Sequence, residues 1–105
     1  MINELEKQEL VTKFNSLIED YEGCLPSHFY LNMGKVDSDK VAVHLSYHDF
    51  SSVFHISLLD DWDTIVKNTK KRLIEQCGLL AQLNAQKFIN DRIRDLEDEK
   101  EKERD

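Results

Sequence analysis

Residues 41–58 read VAVHLSYHDFSSVFHISL, and this stretch alternates apolar and polar side chains in two separate runs. The runs are Val41–Tyr47 and Ser52–Leu58, and in each of them every second residue is apolar. A period of two is the pattern of a strand with one face in a core and one face in water. The residues between the runs, His48–Ser51, suit a turn. The stretch therefore predicts an antiparallel hairpin.

A shorter alternating run, Phe29–Met33, precedes the hairpin and is followed by a polar stretch, Lys35–Lys40, that suits a second turn. Upstream of it, Asn3 followed three residues later by Glu6 is typical of a helix start, and apolar residues then recur at three- and four-residue steps. The sequence predicts a first helix over Glu4–Glu22 and then a three-stranded antiparallel sheet.

The last part of the chain predicts one long helix, about Asp61–Asp98, opened by three aspartates. Its apolar residues from Leu73 to Leu96 predict a single stripe at helical spacing, interrupted only by Gly78. A helix of that length is about 55 Å long. We therefore expect it to overhang the domain, or to kink near Gly78 and fold back.

These elements make one α+β domain over residues 1–98, with an N-terminal helix, a three-stranded antiparallel sheet and a long C-terminal helix. Residues 99–105 contain no apolar side chain and predict a frayed tail. If the helix overhangs, the apolar residues at its end need a partner, and a second copy of the chain is the simplest one. The predicted self-association residues are Phe88, Ile89, Ile93 and Leu96.

The charge of the chain is acidic, with 14 basic and 21 acidic residues and a net charge of −7. Such a surface repels duplex nucleic acid and attracts a basic protein. No apolar run is long enough to cross a membrane, and the polar first ten residues do not form a signal peptide. These features predict a cytoplasmic protein that binds neither nucleic acid nor membranes directly.

Motifs for catalysis or cofactor binding are not found in the sequence, so we expect neither an enzyme nor a cofactor. The three glycines form no phosphate-binding loop, and Cys24 and Cys77 lie in no recognised nucleophile or metal motif. They are expected to be free thiols. If the hairpin pairs Leu45 with Phe54, then His44 faces His55, but two imidazoles make an incomplete zinc site and the favoured interpretation is two exposed histidines.

Five aspartates fall on segments that meet at one end of the predicted sheet. The turn between the first two strands and the start of the last helix share that end, because neighbouring strands run antiparallel. Carboxylates held at fixed spacing resemble a phosphate backbone, and arginines accept them through two hydrogen bonds. The predicted partner-binding residues are Asp37, Asp39, Asp60, Asp61 and Asp63.

Two further interpretations follow from the order of elements. The order of a helix, three strands and a helix resembles that of a double-stranded-RNA-binding domain. Such domains contact phosphates through lysines early in the last helix, where this chain has Lys67, Lys70 and Lys71. A structural dimer held by the last helix is the other alternative.

The size, acidity and architecture of the chain over Glu4–Leu96 resemble small phage inhibitors of the anti-CRISPR type. This resemblance implies a non-enzymatic inhibitor that mimics the DNA read by a nuclease complex. It rests on no sequence motif and implies no individual site residue. From charge and resemblance together we expect an inhibitor or adaptor that binds a protein with a basic surface.

Overall fold

The structure, a computed structural model, describes the backbone of residues 3–103 and the side chains of residues 3–100. In chain order the elements are α1 (Glu4–Glu22), β1 (Phe29–Asp37), β2 (Lys40–Tyr47), β3 (Phe50–Ser57) and α2 (Trp62–Glu103). The three strands form one antiparallel sheet in the order β1-β2-β3. The predicted α+β arrangement is confirmed.

Helix α1 has the predicted bounds, and its first turn explains why it begins there. Asn3 has an extended backbone, and its side-chain oxygen accepts a hydrogen bond at 2.8 Å from the backbone N–H of Glu6. An N-terminal cap of this kind contributes about 1 kcal/mol. At the other end the N–H of Gly23 returns to the carbonyl of Glu19, and Pro26 follows soon after.

Strand β1 continues four residues beyond the predicted end at Met33, so the turn predicted over Lys35–Lys40 is in the right place but too long. The ladder between β1 and β2 shifts between Met33 and Val36, which is the position of a β-bulge. The bulge inserts a residue and lets Val36 pair with Val41 on the core side. The actual turn contains only Ser38 and Asp39.

The hairpin of β2 and β3 is also tighter than predicted. Its turn contains two residues, His48 and Asp49, rather than four, and Tyr47 pairs with Phe50. His48 has a φ of 55°, and the first residue of the other turn, Ser38, has a φ of 56°. A positive φ at the first position is typical of two-residue hairpin turns whose twist matches that of the strands.

Both helices cover the same face of the sheet. Helix α1 packs on β1, and α2 packs on β3 and β2. The ammonium group of Lys13 lies 4.3 Å from the ring centre of Trp62, which links the middle of α1 to the start of α2. The core between these layers is made of twelve buried apolar side chains, namely Phe14, Ile18, Leu31, Val41, Val43, Leu45, Phe54, Ile56, Leu58, Ile65, Leu73 and Leu80.

Helix α2 is continuous through Gly78 and extends far beyond the sheet. Its 42 residues span about 63 Å. The described residues measure 73 × 24 × 16 Å, with a radius of gyration of 19.5 Å, against ~13 Å for a compact domain of this size. Of the two predicted outcomes, the overhang is correct and the folded-back kink is not.

The end of α2 corrects the predicted tail. We expected residues 99–105 to fray, but the helix runs to Glu103, and the last two residues lie outside the described part of the chain. Glutamate and lysine alternate over residues 99–103, and both are strong helix formers. The prediction from apolar content alone therefore ended the helix too early.

Candidate functional site: an acidic end and an exposed helix face

The five predicted aspartates lie on two segments that the backbone ties together. The N–H of Leu58, just after β3, donates a 2.7 Å hydrogen bond to the carbonyl of Asp39 in the β1–β2 turn. Lys40 pairs with Ser57 beside this bond. The turn that carries Asp37 and Asp39 therefore adjoins the segment that leads into α2. We call the surface formed by Asp37, Asp39, Asp60, Asp61 and Asp63 the acidic end.

The carboxylates of the acidic end are accessible to a partner. All are exposed except Asp39, which is half-buried. Within residues 3–100, the ion pairs join Lys87 to Asp49 and to Asp91, both at 3.5 Å, and none involves the acidic end. The negative charge of this surface is therefore not neutralised by a contacting lysine or arginine of the described part of the chain.

Two helices begin at the acidic end. The carbonyl of Asp61 accepts the first helical hydrogen bond of α2, from Ile65 at 3.0 Å, and Asp63 lies in the first turn. Glu4, in the first turn of α1, borders the same cavity as Asp39. The positive ends of the two helix dipoles offset part of the carboxylate charge, each by about half a unit. A partner therefore meets a weaker negative field than the number of carboxylates suggests.

A cavity of about 310 Å³ opens between α1 and the β1–β2 turn at this end. Leu10, Leu58 and Leu59 provide its apolar walls, and Glu4 and Asp39 are among its polar ones. Leu59 is 61% exposed. An apolar centre with a charged rim is the usual composition of a protein-binding surface.

The exposure of Leu59 was missed in the sequence, although a signal was present. Leu58 and Leu59 are consecutive at the end of a strand, and consecutive strand residues point to opposite faces. Only one of the two can enter the core, and Leu58 does so. Helical spacing accounts in a similar way for the exposure of Leu5 on α1. It lies nine residues before buried Phe14, about two and a half turns away, and so points in the opposite direction.

The basic residues of the double-stranded-RNA interpretation lie near the start of α2. Lys67, Lys70 and Lys71 are exposed, and the guanidinium carbon of Arg72 lies 5.8 Å from the ring centre of Phe54. The three lysines follow the acidic end within about two turns of helix. An RNA duplex on these lysines would approach the exposed carboxylates of Asp60, Asp61 and Asp63 as well.

The predicted pairing of His44 with His55 is wrong. In the structure His44 pairs with Val53, and His55 pairs with Ala42, because the two-residue turn shifts the ladder by two positions. The imidazole of His44 lies over Gly34 on the uncovered face of the sheet. Among the described residues, no three histidine, cysteine or acidic side chains come together as a metal site.

The exposed apolar residues at the end of α2 lie where the overhang was predicted, but not on the predicted face. Phe88, Ile89, Ile93 and Leu96 are between 48% and 67% exposed. Nine residues separate Leu80, the last buried residue among the described side chains of α2, from Ile89. Nine residues are about two and a half turns, so the two side chains point in opposite directions. The single stripe predicted from Leu73 to Leu96 is therefore two stripes on different faces.

Both cysteines are free thiols, as expected, and they lie in different environments. Cys24 is exposed, whereas Cys77, a residue of α2, is half-buried. Burial raises the pKa of the Cys77 thiol. Burial and, to a smaller extent, the charge of Cys24 raise the pKa of the Tyr21 hydroxyl.

Within residues 3–103, neither helix contains an apolar stretch of the length and hydropathy that a membrane span requires. Comparisons of the chain with models of protein families, with curated proteins and with solved structures found no match.

Proposed function

We propose that this chain is a non-enzymatic protein-binding inhibitor or adaptor, and that its acidic end docks on a basic surface of a partner protein. The observation that supports this most directly is the hydrogen bond from Leu58 to Asp39, because it holds two carboxylate-bearing segments side by side. Carboxylates on a rigid frame lose little freedom when arginine side chains bind them. They also accelerate the approach of a basic partner.

A cleft that normally binds nucleic acid is the kind of basic surface that we favour. Its arginines and lysines are spaced for phosphates, and the adjoining turn and helix start offer several carboxylates over a short distance. Leu59 adds an exposed apolar contact beside them. The resemblance to anti-CRISPR inhibitors supports a nuclease complex as the partner and the cytoplasm as the site of action.

The test is inhibition of duplex DNA cleavage by guide-RNA-loaded nucleases, measured for three forms of the chain. The first is the native chain, and the second carries Asp37→Asn, Asp39→Asn, Asp60→Asn and Asp61→Asn. Asparagine caps helices as well as aspartate does, so the second form should keep its fold. The control removes four exposed carboxylates elsewhere, through Glu19→Gln, Asp20→Asn, Glu75→Gln and Asp95→Asn. We expect the acidic-end variant alone to lose inhibition.

The double-stranded-RNA-binding module is the second candidate, and the exposure of Lys67, Lys70 and Lys71 is the observation in its favour. It predicts that the chain shifts an RNA duplex in a native gel, and that Lys70→Glu with Lys71→Glu abolishes the shift. The unpaired aspartates next to these lysines favour the protein partner instead. A shift that the lysine changes abolish would reverse this preference.

A further inference from the structure

The side of α2 that faces away from the sheet carries an apolar stripe, interrupted by Arg92, along about half of its length. With 100° per residue, Ile74, Ala85, Ile89 and Leu96 all lie about 120° to 180° around the helix from buried Leu80. Ile74 is 64% exposed, and Ile89 and Leu96 are each 53% exposed. The stripe spans about 33 Å between its first and last residue. It is independent of the acidic end.

Small residues form the middle of this stripe. Gly78, Ala81 and Ala85 lie on the same side of the helix as Ile74 and Ile89. A Cβ atom placed on Gly78 would meet nothing within 4 Å. The centre of the stripe is therefore shallow and open, and larger residues flank it on both sides. Another helix can approach such a surface closely, because the separation of helix axes depends on the side chains at the contact.

The charges along α2 change sign about a point near Ala85. Residues 70–79 carry three bases and one acid, which gives a net charge of +2. Residues 91–100 carry three bases and five acids, which gives −2. These two segments are equally distant from residue 85. Two copies of α2 in antiparallel orientation would place each segment beside the oppositely charged one, whereas a parallel pair would place like charges together.

From this combination we infer that two copies of the chain associate through the outer faces of α2, in antiparallel orientation and centred near Ala85. This register places Ile74 of each copy beside Leu96 of the other, and Ala81 beside Ile89. Large residues thereby meet large ones at both ends, and small residues receive Ile89 in the middle. The sheet of each copy lies on the far side of α2 and does not obstruct the approach. The end of α1 borders the stripe at Ile74.

The size of the contact determines how tightly the copies associate. Overlap over residues 70–100 is about 45 Å long, and a strip about 10 Å wide on each helix gives roughly 1,000 Å² in total. Interfaces of this size are at the lower end of the specific range and bind weakly. We therefore expect a dimer that forms and dissociates with concentration in the micromolar range.

Sedimentation equilibrium of the full chain, from about 2 to 200 μM, tests the association. The native chain should shift from monomer to dimer, and Ile89→Asp with Ile93→Asp should remain monomeric, because charged side chains replace exposed apolar ones. The control, Asn90→Asp with Arg94→Gln, makes the same change of −2 in net charge on another side of α2 and should dimerise like the native chain. Circular dichroism melting establishes that both variants are folded. A native chain that is monomeric at 200 μM would overturn the inference, and so would a control that fails to dimerise.

The orientation is tested by the distance between nitroxide labels at position 98. Asp98 lies on the side of α2 opposite the stripe, so Asp98→Cys, in a background of Cys24→Ser and Cys77→Ala, carries the label outside the contact. In the antiparallel register the two labels lie about 40 Å apart along the helix direction, since 13 residues separate position 98 from the centre. A parallel pair brings them within about 25 Å. Pulsed electron paramagnetic resonance distinguishes these distances, and the shorter one would refute the antiparallel arrangement.

Discussion

Removing the overhanging part of α2 should leave the stability of the domain almost unchanged. A chain that ends after Lys87 lacks residues 88–105 but keeps the ion pair between Lys87 and Asp49. Every side chain described beyond Lys87 is exposed except that of Asp91, which is half-buried. The removed contacts therefore reduce to one exposed ion pair, Lys87 with Asp91, at 3.5 Å. Pairs of this kind contribute at most about 0.5 kcal/mol.

We expect the truncated chain to lose less than about 1 kcal/mol of unfolding free energy. Urea unfolding followed by circular dichroism at about 2 μM, where both forms are monomeric, measures the difference. The slope of free energy against urea should also stay within about 10%, because the slope scales with the area exposed on unfolding and the overhang buries little. A loss of more than about 2 kcal/mol, or a clearly smaller slope, would mean that residues 88–103 pack on the domain, and our description of α2 would be wrong.

Three more substitutions probe the packing. Leu80→Ala should lower the free energy of unfolding, measured in urea, by about 3 kcal/mol. Leu79→Ala, at the neighbouring residue that is 46% exposed, should lower it by less than about 1 kcal/mol. Equal losses would contradict the finding that α2 turns Leu80, and not Leu79, toward the core. Gly34→Ala should lower the free energy of unfolding by about 1 kcal/mol, because the added Cβ would collide with the imidazole of His44. Adding His44→Ala should restore most of that stability. If it does not, the strain does not come from the contact with His44. Because its pKa is raised, Cys77 should be less ionised to thiolate than an exposed thiol at pH 8. Iodoacetamide should therefore modify Cys77 several-fold more slowly than Cys24, as measured by peptide mapping. Equal rates are expected only in urea, and equal rates in the folded chain would show that Cys77 is not shielded.

The elements whose signals are local were predictable from the sequence. The bounds of α1 follow from Asn3, Glu6 and the glycine and proline after Glu22, all within a few residues of the helix ends. The β2–β3 hairpin follows from the alternation in residues 41–58. Its register was not predictable from alternation alone, because shifting the pairing by two residues keeps every side chain on the same face. The turn length, which fixes the register, had to come from the structure.

The apolar face of α2 was predicted wrongly for a different reason. Steps of three and four residues connect Leu73 to Leu96 without an obvious gap, but repeated steps of four advance the stripe around the helix by about 40° each. From Leu80 to Ile89, the one-residue step to Ala81 and two steps of four add up to half a turn. Only the position of the sheet shows that one part of the stripe is buried and the other exposed.

The acidic end was predictable because it depends on topology rather than on exact register. Antiparallel strands force the β1–β2 turn and the exit of β3 to the same end of the sheet, and Asp39 and Leu58 meet there. The cavity beside it was not predicted, because it depends on how α1 lies against the turn. The exposure of Leu59 was missed, although the alternation of strand side chains signalled it.

The affinity for a guide-RNA-loaded nuclease, measured at several salt concentrations, tests the proposed function most directly. We expect the native chain to bind and to block cleavage, with an affinity that falls steeply as salt rises. The amide variant at Asp37, Asp39, Asp60 and Asp61 should bind at least about tenfold more weakly and show a flatter salt dependence. The control with four carboxylates removed elsewhere should bind like the native chain. No binding by the native chain to any nuclease tested, or equal affinity of the amide variant at low salt, would contradict the proposal.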